Sequence, residues 1–468
     1  MSHPTVVHML AAAAAARPGA EALVCADRRF TYLDYWRAAA GLARALGDRR
    51  GQRVATRLGN SIEACVAAFG VLASGAQHVP LNPLYTAAEL EPIVADAEPS
   101  AFITEMRLSA AEDLPSRPDP QTLALLQYTG GTTGRAKGVN LTHRAIASNV
   151  AQREALLPTR ADAERILCVM PLFHSYAMAM GLFLAANCRG TLVILERYRP
   201  EMLLDAIERE CITIFPGSPT LFTSLMAHPR FAATDWSSVH TCYSGSAPLP
   251  EATLERWREA VGAPVYEGYG QTEAGPVLAF NAPGRAKAGS VGVAVPETEI
   301  QIVDVARGER ILPAGERGEI CARGPQVMQG YRNRPRETAE ALRGGWLYTG
   351  DIGEMDADGF LYVRDRKKDM VIVGGYNVYP REVEEALSAH PAVAEAAVVG
   401  GPDAYWGEAL HAYVALRGSA TSAQLLEHCR SRLARYKIPA TLEILDALPK
   451  TTVGKLDKPA LKARWKGS

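Results

Sequence analysis

From Tyr128 to Gly138 the chain reads Tyr-Thr-Gly-Gly-Thr-Thr-Gly-Arg-Ala-Lys-Gly, three glycines within five residues, interleaved with hydroxyls and followed by a lysine. Such a loop can wrap a phosphate chain. Gly130, Gly131 and Gly134 let backbone N–H groups approach, Thr129, Thr132 and Thr133 supply hydroxyls, and Lys137 adds a point charge. It is not a Walker-type loop, because Lys137 is followed by Gly138 rather than Ser or Thr and is not directly preceded by glycine. A Gly-rich hairpin turn would account for the segment if it stood alone. Further along, Gly268-Tyr-Gly270 fails as a dinucleotide fingerprint, since Glu273 stands where a third glycine is needed.

The loop does not stand alone. Gly245-Ser-Ala-Pro248, Tyr269-Gly-Gln-Thr-Glu273, Tyr348-Thr-Gly-Asp351, Arg366 with Lys368-Asp369, Gly374-Gly-Tyr-Asn-Val-Tyr-Pro380 and Pro449-Lys-Thr-Thr-Val-Gly-Lys455 follow in that order. Together these segments resemble the adenylate-forming enzymes, a superfamily of acyl-CoA and aryl-CoA ligases, luciferases and peptide-synthetase adenylation domains. The wording from Gly345 to Ile352 and from Val363 to Asp369 is most similar to bacterial fatty acyl-CoA ligases. The resemblance spans nearly the whole chain. It departs at Gly130, where Ser or Thr is frequent, at Ala136, where proline is common, and at 105–121, which is shorter than in typical relatives.

The resemblance implies a role for each segment. Thr129 to Gly134 with Lys137 would hold ATP phosphates, and 245–248 (Gly245, Ser246, Ala247, Pro248) would wall the adenine. In the segment of Tyr269, Gly270 and Gln271, Thr272 would bond the α-phosphate and Glu273 would hold Mg²⁺, a hard cation that takes one or two carboxylates plus phosphate oxygens. Asp351 and Arg366 would grip the ribose. Lys455 would neutralise charge as the adenylate forms. Lys368 occupies the hinge position, and Gly374, Gly375 and Tyr376 would line the thiol channel. His174 matches a position at the acyl end, where Tyr176, Phe215, Gly217, Tyr243 and Tyr266 are the other pocket candidates. Amino-acid-activating relatives place an aspartate near Phe173-His174; this chain has no acid there. The sequence therefore argues against an amino acid substrate, while a fatty chain and an aryl ring both stay open.

These groups need a large scaffold, and 468 residues with 48% apolar content can bury one. Fifty basic against 51 acidic side chains argue against a protein that coats nucleic acid. The basic excess is local: residues 430–468 hold ten Lys and Arg against three acids, which suits phosphate-rich ligands. Eight cysteines without a CxxC pair predict reduced, buried thiols and a cytoplasmic chain. No apolar run is long enough to span a bilayer, and 6–16 reads as an amphipathic helix.

Apolar runs alternate with helical patterns: a strand over 190–195, a helix over 200–209, a strand over 211–215, and the same order from about 53 to 103. That alternation predicts parallel-rich sheets covered by helices. Short strands broken by Gly and Pro from 289 to 363 predict a smaller β-rich subdomain. Beyond the charged cluster 364–369, a strand at 370–373, a helix starting at Pro380 and three short strands predict a compact α+β domain.

The expected architecture is thus α/β: a large N-terminal domain over 1–367 and a mobile C-terminal α+β lid over 368–468. The expected activity joins a carboxylic acid to ATP as acyl-AMP with release of pyrophosphate, then passes the acyl group to coenzyme A. Loading of a carrier-protein phosphopantetheine and a non-catalytic nucleotide-binding protein are the alternatives. No restraining insertion of the kind expected in fatty acyl-AMP ligases is present between 289 and 380. Expected partners are the acid, ATP and coenzyme A, with no nucleic acid and no integral membrane segment; self-association as a homodimer is left open.

Overall fold

In the computed structural model, residues 3–112, 117–129, 136–245, 249, 251–374, 376–403, 405–451 and 455–466 are described. The chain is mixed α/β and divides into two compact units. The first holds 1–249, 255–300 and 322–348; the second holds 250–254, 301–321 and 349–468.

Two sheets build the first unit. The larger has nine strands in the order Val293–Ala294, Val277–Phe280, Val265–Gly270, Thr241–Ser244, Ile214–Gly217, Arg165–Cys168, Thr191–Ile194, Glu21–Cys25 and Arg28–Thr31. Its middle strands pair in parallel. Parallel pairs require crossovers, and helices on both faces bury every residue of Thr191–Ile194 and Ile214–Gly217. The smaller sheet runs Gly330–Tyr331, Lys137–Thr142, Leu123–Thr129, Gln77–Pro80, Arg53–Thr56, Ala101–Ile103. Despite the short 105–121 segment, Ala101–Ile103 closes that sheet in parallel with Arg53–Thr56.

The helices Val6–Ala16 and Pro200–Arg209 lie where their patterns place them, the first capped by Thr5 and the second opened by Pro200. The expected strand at 211–215 begins later, at Ile214. Cys211 adopts φ +47°, a left-handed turn that ends the preceding helix and delays the extended backbone.

In the second unit a five-stranded sheet orders Tyr376–Val378, Val371–Val373, Gly407–Leu416 and Val393–Asp403, with Thr441–Leu445 beside Gly407–Leu416. The helix Pro380–Ser388 and the helix Ser422–Arg430 bury Val383, Leu387 and Leu425 against Val398, Leu410 and Val414. The three short strands expected after 389 are instead two long ones and a short one. Gly400, Gly401 and Pro402 resemble a turn in sequence, yet the antiparallel ladder continues through them to Asp403↔Gly407. Most of another five-stranded sheet falls in this unit and includes Trp346–Met355 paired with Leu361–Arg366.

Candidate functional site

The phosphate-type loop sits at the tip of a hairpin. Leu123–Thr129 and Lys137–Thr142 are antiparallel, with Thr129 directly opposite Lys137. Thr129 and Lys137 are thereby held as a pair, and the Thr129 hydroxyl reaches the Lys137 carbonyl at 3.5 Å. Gly130, Gly131, Thr132, Thr133 and Gly134 lie outside the described residues, as do Ser246, Ala247, Pro248 and Gly375.

The Lys137 ammonium stands 4.3 Å from the centre of the Tyr331 ring. The same tyrosine donates its hydroxyl hydrogen bond to Glu273 Oε1 at 2.9 Å. Tyr331 was not singled out by its sequence context, since a lone tyrosine in Gly330-Tyr-Arg-Asn carries no chemical signature. Antiparallel pairing of Gly330–Tyr331 with Lys137–Thr142 delivers it: Tyr331 lies opposite Val139. Burial, then the Glu273 charge and hydrogen bond, raise the Tyr331 phenol above the usual tyrosine value, so it stays a donor at neutral pH.

Glu273 and Thr272 lie on the short helix Thr272–Ala274, which follows the strand Val265–Gly270. Two glycines make that strand's close contacts possible. A Cβ at Gly270 would fall 1.8 Å from the Pro276 carbonyl oxygen, and one at Gly268 would fall 2.2 Å from the Phe280 ring. Gln271 caps the short helix without a side-chain bond, and Tyr269 pairs with Ala279 across the sheet. The Thr272 hydroxyl is 3.3 Å from that of Ser175. Glu273 is buried, 8% exposed, and one carboxylate oxygen accepts the hydrogen bond from the Tyr331 hydroxyl. A single buried carboxylate next to a hydroxyl is the donor set of a magnesium ion that binds mainly phosphate oxygens.

His174 caps the turn Ser175–Ala177, its Nδ1 accepting from the Tyr176 amide at 3.2 Å. The Tyr176 hydroxyl donates to the carbonyls of Gly217 and Tyr243 at 3.3 and 3.4 Å. Its ring lies against Gly245, where a Cβ would come within 2.8 Å. Tyr266 is in register with Tyr243 on the neighbouring strand and shares its face. His174, Tyr176, Gly217, Tyr243, Gly245 and Tyr266 are thus brought to one region. Phe215 is not: it is in register with Cys242, pointing to the other face, and its ring packs on Phe222 and Trp257 at 5.2 and 5.8 Å. The structure places Phe215 in a fully buried aromatic core.

The second unit gathers a separate set. Asp351, 3% exposed, is opposite Arg366 in an antiparallel pair, and its Oδ1 accepts from Arg366 Nε at 2.8 Å. Lys455 closes its loop on Thr451, whose hydroxyl accepts from the Lys455 amide at 3.2 Å. Burial first, and then the Arg366 charge, press the Lys455 ammonium below its ordinary value, with Asp351 pulling the other way. Desolvation also lowers Lys368; Asp369 opposes it, Arg366 and Lys462 add to it, and Asp351 opposes it again. Asp351, Arg366, Lys368 and Lys455 therefore share one electrostatic neighbourhood. Gly374, at φ +56°, is pressed by Trp406, whose ring a Cβ would meet at 2.6 Å. Tyr376, 58% exposed, stacks on Tyr436 with ring centres 4.5 Å apart.

A large unit with a hairpin lysine and a small α+β unit with an Asp–Arg–Lys cluster are the two parts expected of a nucleotide-activating ligase. The chain matches the family described as AMP-binding enzyme over residues 10–117 and 105–332, and the AMP-binding enzyme C-terminal domain over 382–455. It belongs to the AMP-binding, adenylate-forming enzymes. Within them it is an AMP-forming acid–thiol ligase of the acyl-CoA or aryl-CoA kind. It is 36% identical to the long-chain-fatty-acid–CoA ligase of Bacillus subtilis (strain 168), over 97% of this chain and 94% of that one. To the feruloyl-CoA synthase of Amycolatopsis sp it is 38% identical, over 96% of both chains. ATP-bound MatB from Rhodopseudomonas palustris superposes with a TM-score of 0.92 at 30% identity, over 100% of this chain and 99% of that one. Among the described residues no helix is long and apolar enough to cross a membrane.

Proposed function

We propose that this enzyme activates a carboxylic acid as acyl-AMP, releases pyrophosphate, and transfers the acyl group to free coenzyme A. The observation that carries the proposal is the charge arrangement in the second unit, a nearly dry aspartate paired to Arg366 with a desolvated Lys455 beside them. Asp351 accepts from the ribose hydroxyls and Arg366 steadies that contact. Lys455 stabilises negative charge as the acid's carboxylate attacks the α-phosphate. Because a desolvated ammonium interacts strongly with phosphate oxygens, it needs no titration to do so.

In the first unit, Lys137, with Thr129 and the adjoining glycine-rich loop, binds the distal phosphates, and Thr272 bonds the α-phosphate. Glu273 would hold Mg²⁺, whose charge, when bound, offsets that of the phosphate oxygens. His174 stands at the carboxylate end of the acyl pocket. The C-terminal part from Lys368 onward acts as a lid: after the adenylate forms it turns about Lys368, withdraws Lys455 and brings Gly374, Gly375 and Tyr376 to the thiol. All eight cysteines are thiols outside disulfides and seven are buried, which supports work in the reducing cytoplasm.

ATP–pyrophosphate exchange across a panel of fatty and aryl acids, followed by mass spectrometry of the thioester, tests this. Exchange that depends on the acid and on Asp351, with acyl-CoA as product, is expected. An adenylate that accumulates beside coenzyme A and is consumed only when a carrier protein is added would replace coenzyme A by the carrier. Exchange unaffected by Asp351→Ala would overturn the assigned site.

A further inference from the structure

The helix His143–Leu156 carries one residue that the activity described so far does not use. Arg153 is 2% exposed. Of its guanidinium, Nη1 is paired with the Glu154 carboxylate and Nη2 donates to the Tyr243 hydroxyl, while Nε has no partner. The guanidinium carbon also lies 4.6 Å from the centre of the Tyr243 ring. Buried arginines are rare and are kept where their fork meets a fixed acceptor.

Hydrogen-bond direction decides what this cluster can offer. Arginine only donates, so the Tyr243 oxygen accepts and its own proton points elsewhere. Arg153 is the sole hydrogen-bond partner of that hydroxyl among the described residues. Tyr243 is 1% exposed, its backbone carbonyl accepts from the Tyr176 hydroxyl, and its side chain shares a face with that of Tyr266. Among the described residues, the Arg153 Nε–H has no acceptor and the Tyr243 O–H is given none beyond its bond from Arg153, so two donors are buried in one cluster. Buried donors in native proteins are nearly always matched, and an acyl pocket is where a ligand can do the matching.

We infer that Arg153 and Tyr243 form a polar floor to the acyl pocket and select an acid whose far end carries an oxygen acceptor. This rests on the reading above that Tyr243 lines that pocket. A plain alkyl terminus leaves both donors unsatisfied and is disfavoured, because a site built to hydrogen-bond its substrate rejects the analogue lacking the partner group. Two sources share the chemistry: a hydroxy- or methoxy-substituted aryl acid and a dicarboxylic acid. Glu154 already balances the guanidinium charge, which favours the neutral ring oxygen.

The test compares kcat/KM for pyrophosphate release with cinnamate, 4-hydroxycinnamate and 4-methoxycinnamate, and with dodecanoate and dodecanedioate. Calorimetric binding of the same acids reads preference without turnover. Oxygen-bearing acids should be preferred by about tenfold or more, and Tyr243→Phe should reduce that ratio about tenfold. Arg153→Met should reduce it too, and thermal melts show whether either variant is folded. The pair in which the preference appears identifies the source. A wild-type ratio near one, or a ratio unmoved in folded Tyr243→Phe, overturns the inference. Selective binding without pyrophosphate release would sustain it and overturn the proposed activity instead.

Discussion

Lys137 in the first unit and Asp351 in the second are both proposed nucleotide ligands, yet their surroundings are opposite. Lys137 meets an aromatic face, and Glu273 meets a phenol; neither is matched by an opposite charge among the described residues. In the second unit Asp351 is paired with Arg366, Glu319 with Lys367, Glu354 with Arg364 and Arg317, and Glu382 with Arg317 and Lys437. Among the described residues the first arrangement leaves Lys137 without an ion pair and so available to phosphate, and Glu273 without a cation. In the second these carboxylates are paired without a ligand, so the pairs also hold its own fold, while Lys368 and Lys455 beside them stay pressed below their ordinary values. Substitution of Lys137 should therefore act on ATP alone, whereas substitution of the paired groups of the second unit should also act on a reaction step or on stability.

Lys455 has the largest expected effect, because it is assigned to the developing charge and both burial and Arg366 press its ammonium below the ordinary value. Lys455→Ala should slow adenylate formation on the order of 10²- to 10³-fold, the typical cost of deleting one preorganised electrostatic partner. Thioester formation from synthetic acyl-adenylate should be nearly spared. Lys368→Pro should do the reverse, since a fixed φ obstructs the turn after the first step. Single-turnover assays begun from acid plus ATP, and separately from the adenylate, read both. The same lysine has a pH signature: its ammonium is pressed down, so adenylation should fall toward alkaline pH before an ordinary lysine titrates. Lys455→Arg should remove that fall. Equal damage to both half-reactions would abolish the distinction between a phosphate-binding unit and a step-switching one.

Next come the open charges of the first unit. Lys137→Ala and Thr272→Ala should each weaken ATP use by ~1.5 to 3 kcal/mol, the worth of a hydrogen bond to a charged group. Titrations of rate against ATP at fixed acid measure it, and unchanged ATP kinetics in both variants would remove these residues from the nucleotide. Tyr331→Phe deletes the bond to Glu273 and keeps the ring under Lys137. A loss of roughly 0.5 to 1.5 kcal/mol is expected, in the Mg²⁺ dependence of ATP binding rather than in the acid's KM. If the acid's KM moves instead, Tyr331 is structural.

How far sequence carries such assignments depends on what joins the residues. Thr129 and Lys137 were legible because one hairpin holds both, and Pro200–Arg209 because Pro200 opens it. Tyr331 was not, since only the pairing of a two-residue strand brings it beside Lys137. Arg153 was hidden for another reason: an arginine within Gln152-Arg153-Glu154 reads as a solvated helix face, and only packing against Tyr243 reveals it as buried. Phe215 misled in the opposite sense, as apolar alternation does not say which face of a parallel strand meets the site. The α/β class was legible throughout from alternation, which depends on neighbours in sequence alone.

The smallest expected effect tests whether the second unit's pairs are energetic. Burial works to raise the Glu382 carboxyl, but hydrogen bonds from Lys437 and Arg317 outweigh it and hold the group below its ordinary value of 4.5. A depressed carboxylate adds stability above the unfolded value, and that share is lost as pH falls through the folded one. Glu382→Gln should therefore cost about 1 kcal/mol at pH 7, and wild type and variant should converge only as pH falls through the lowered folded value of Glu382. In the variant Arg317 keeps Glu354, while Lys437 loses the one carboxylate it is paired with among the described residues, so the loss falls mainly on Lys437. Denaturant melts of the whole chain across pH, with hydrogen exchange followed in Gly407–Leu416, measure the difference where it should appear. A variant that tracks wild type at every pH would mean that Glu382's pairs contribute nothing to folding, and the contrast between open and satisfied charge would then have to rest on Asp351 and Arg366 alone.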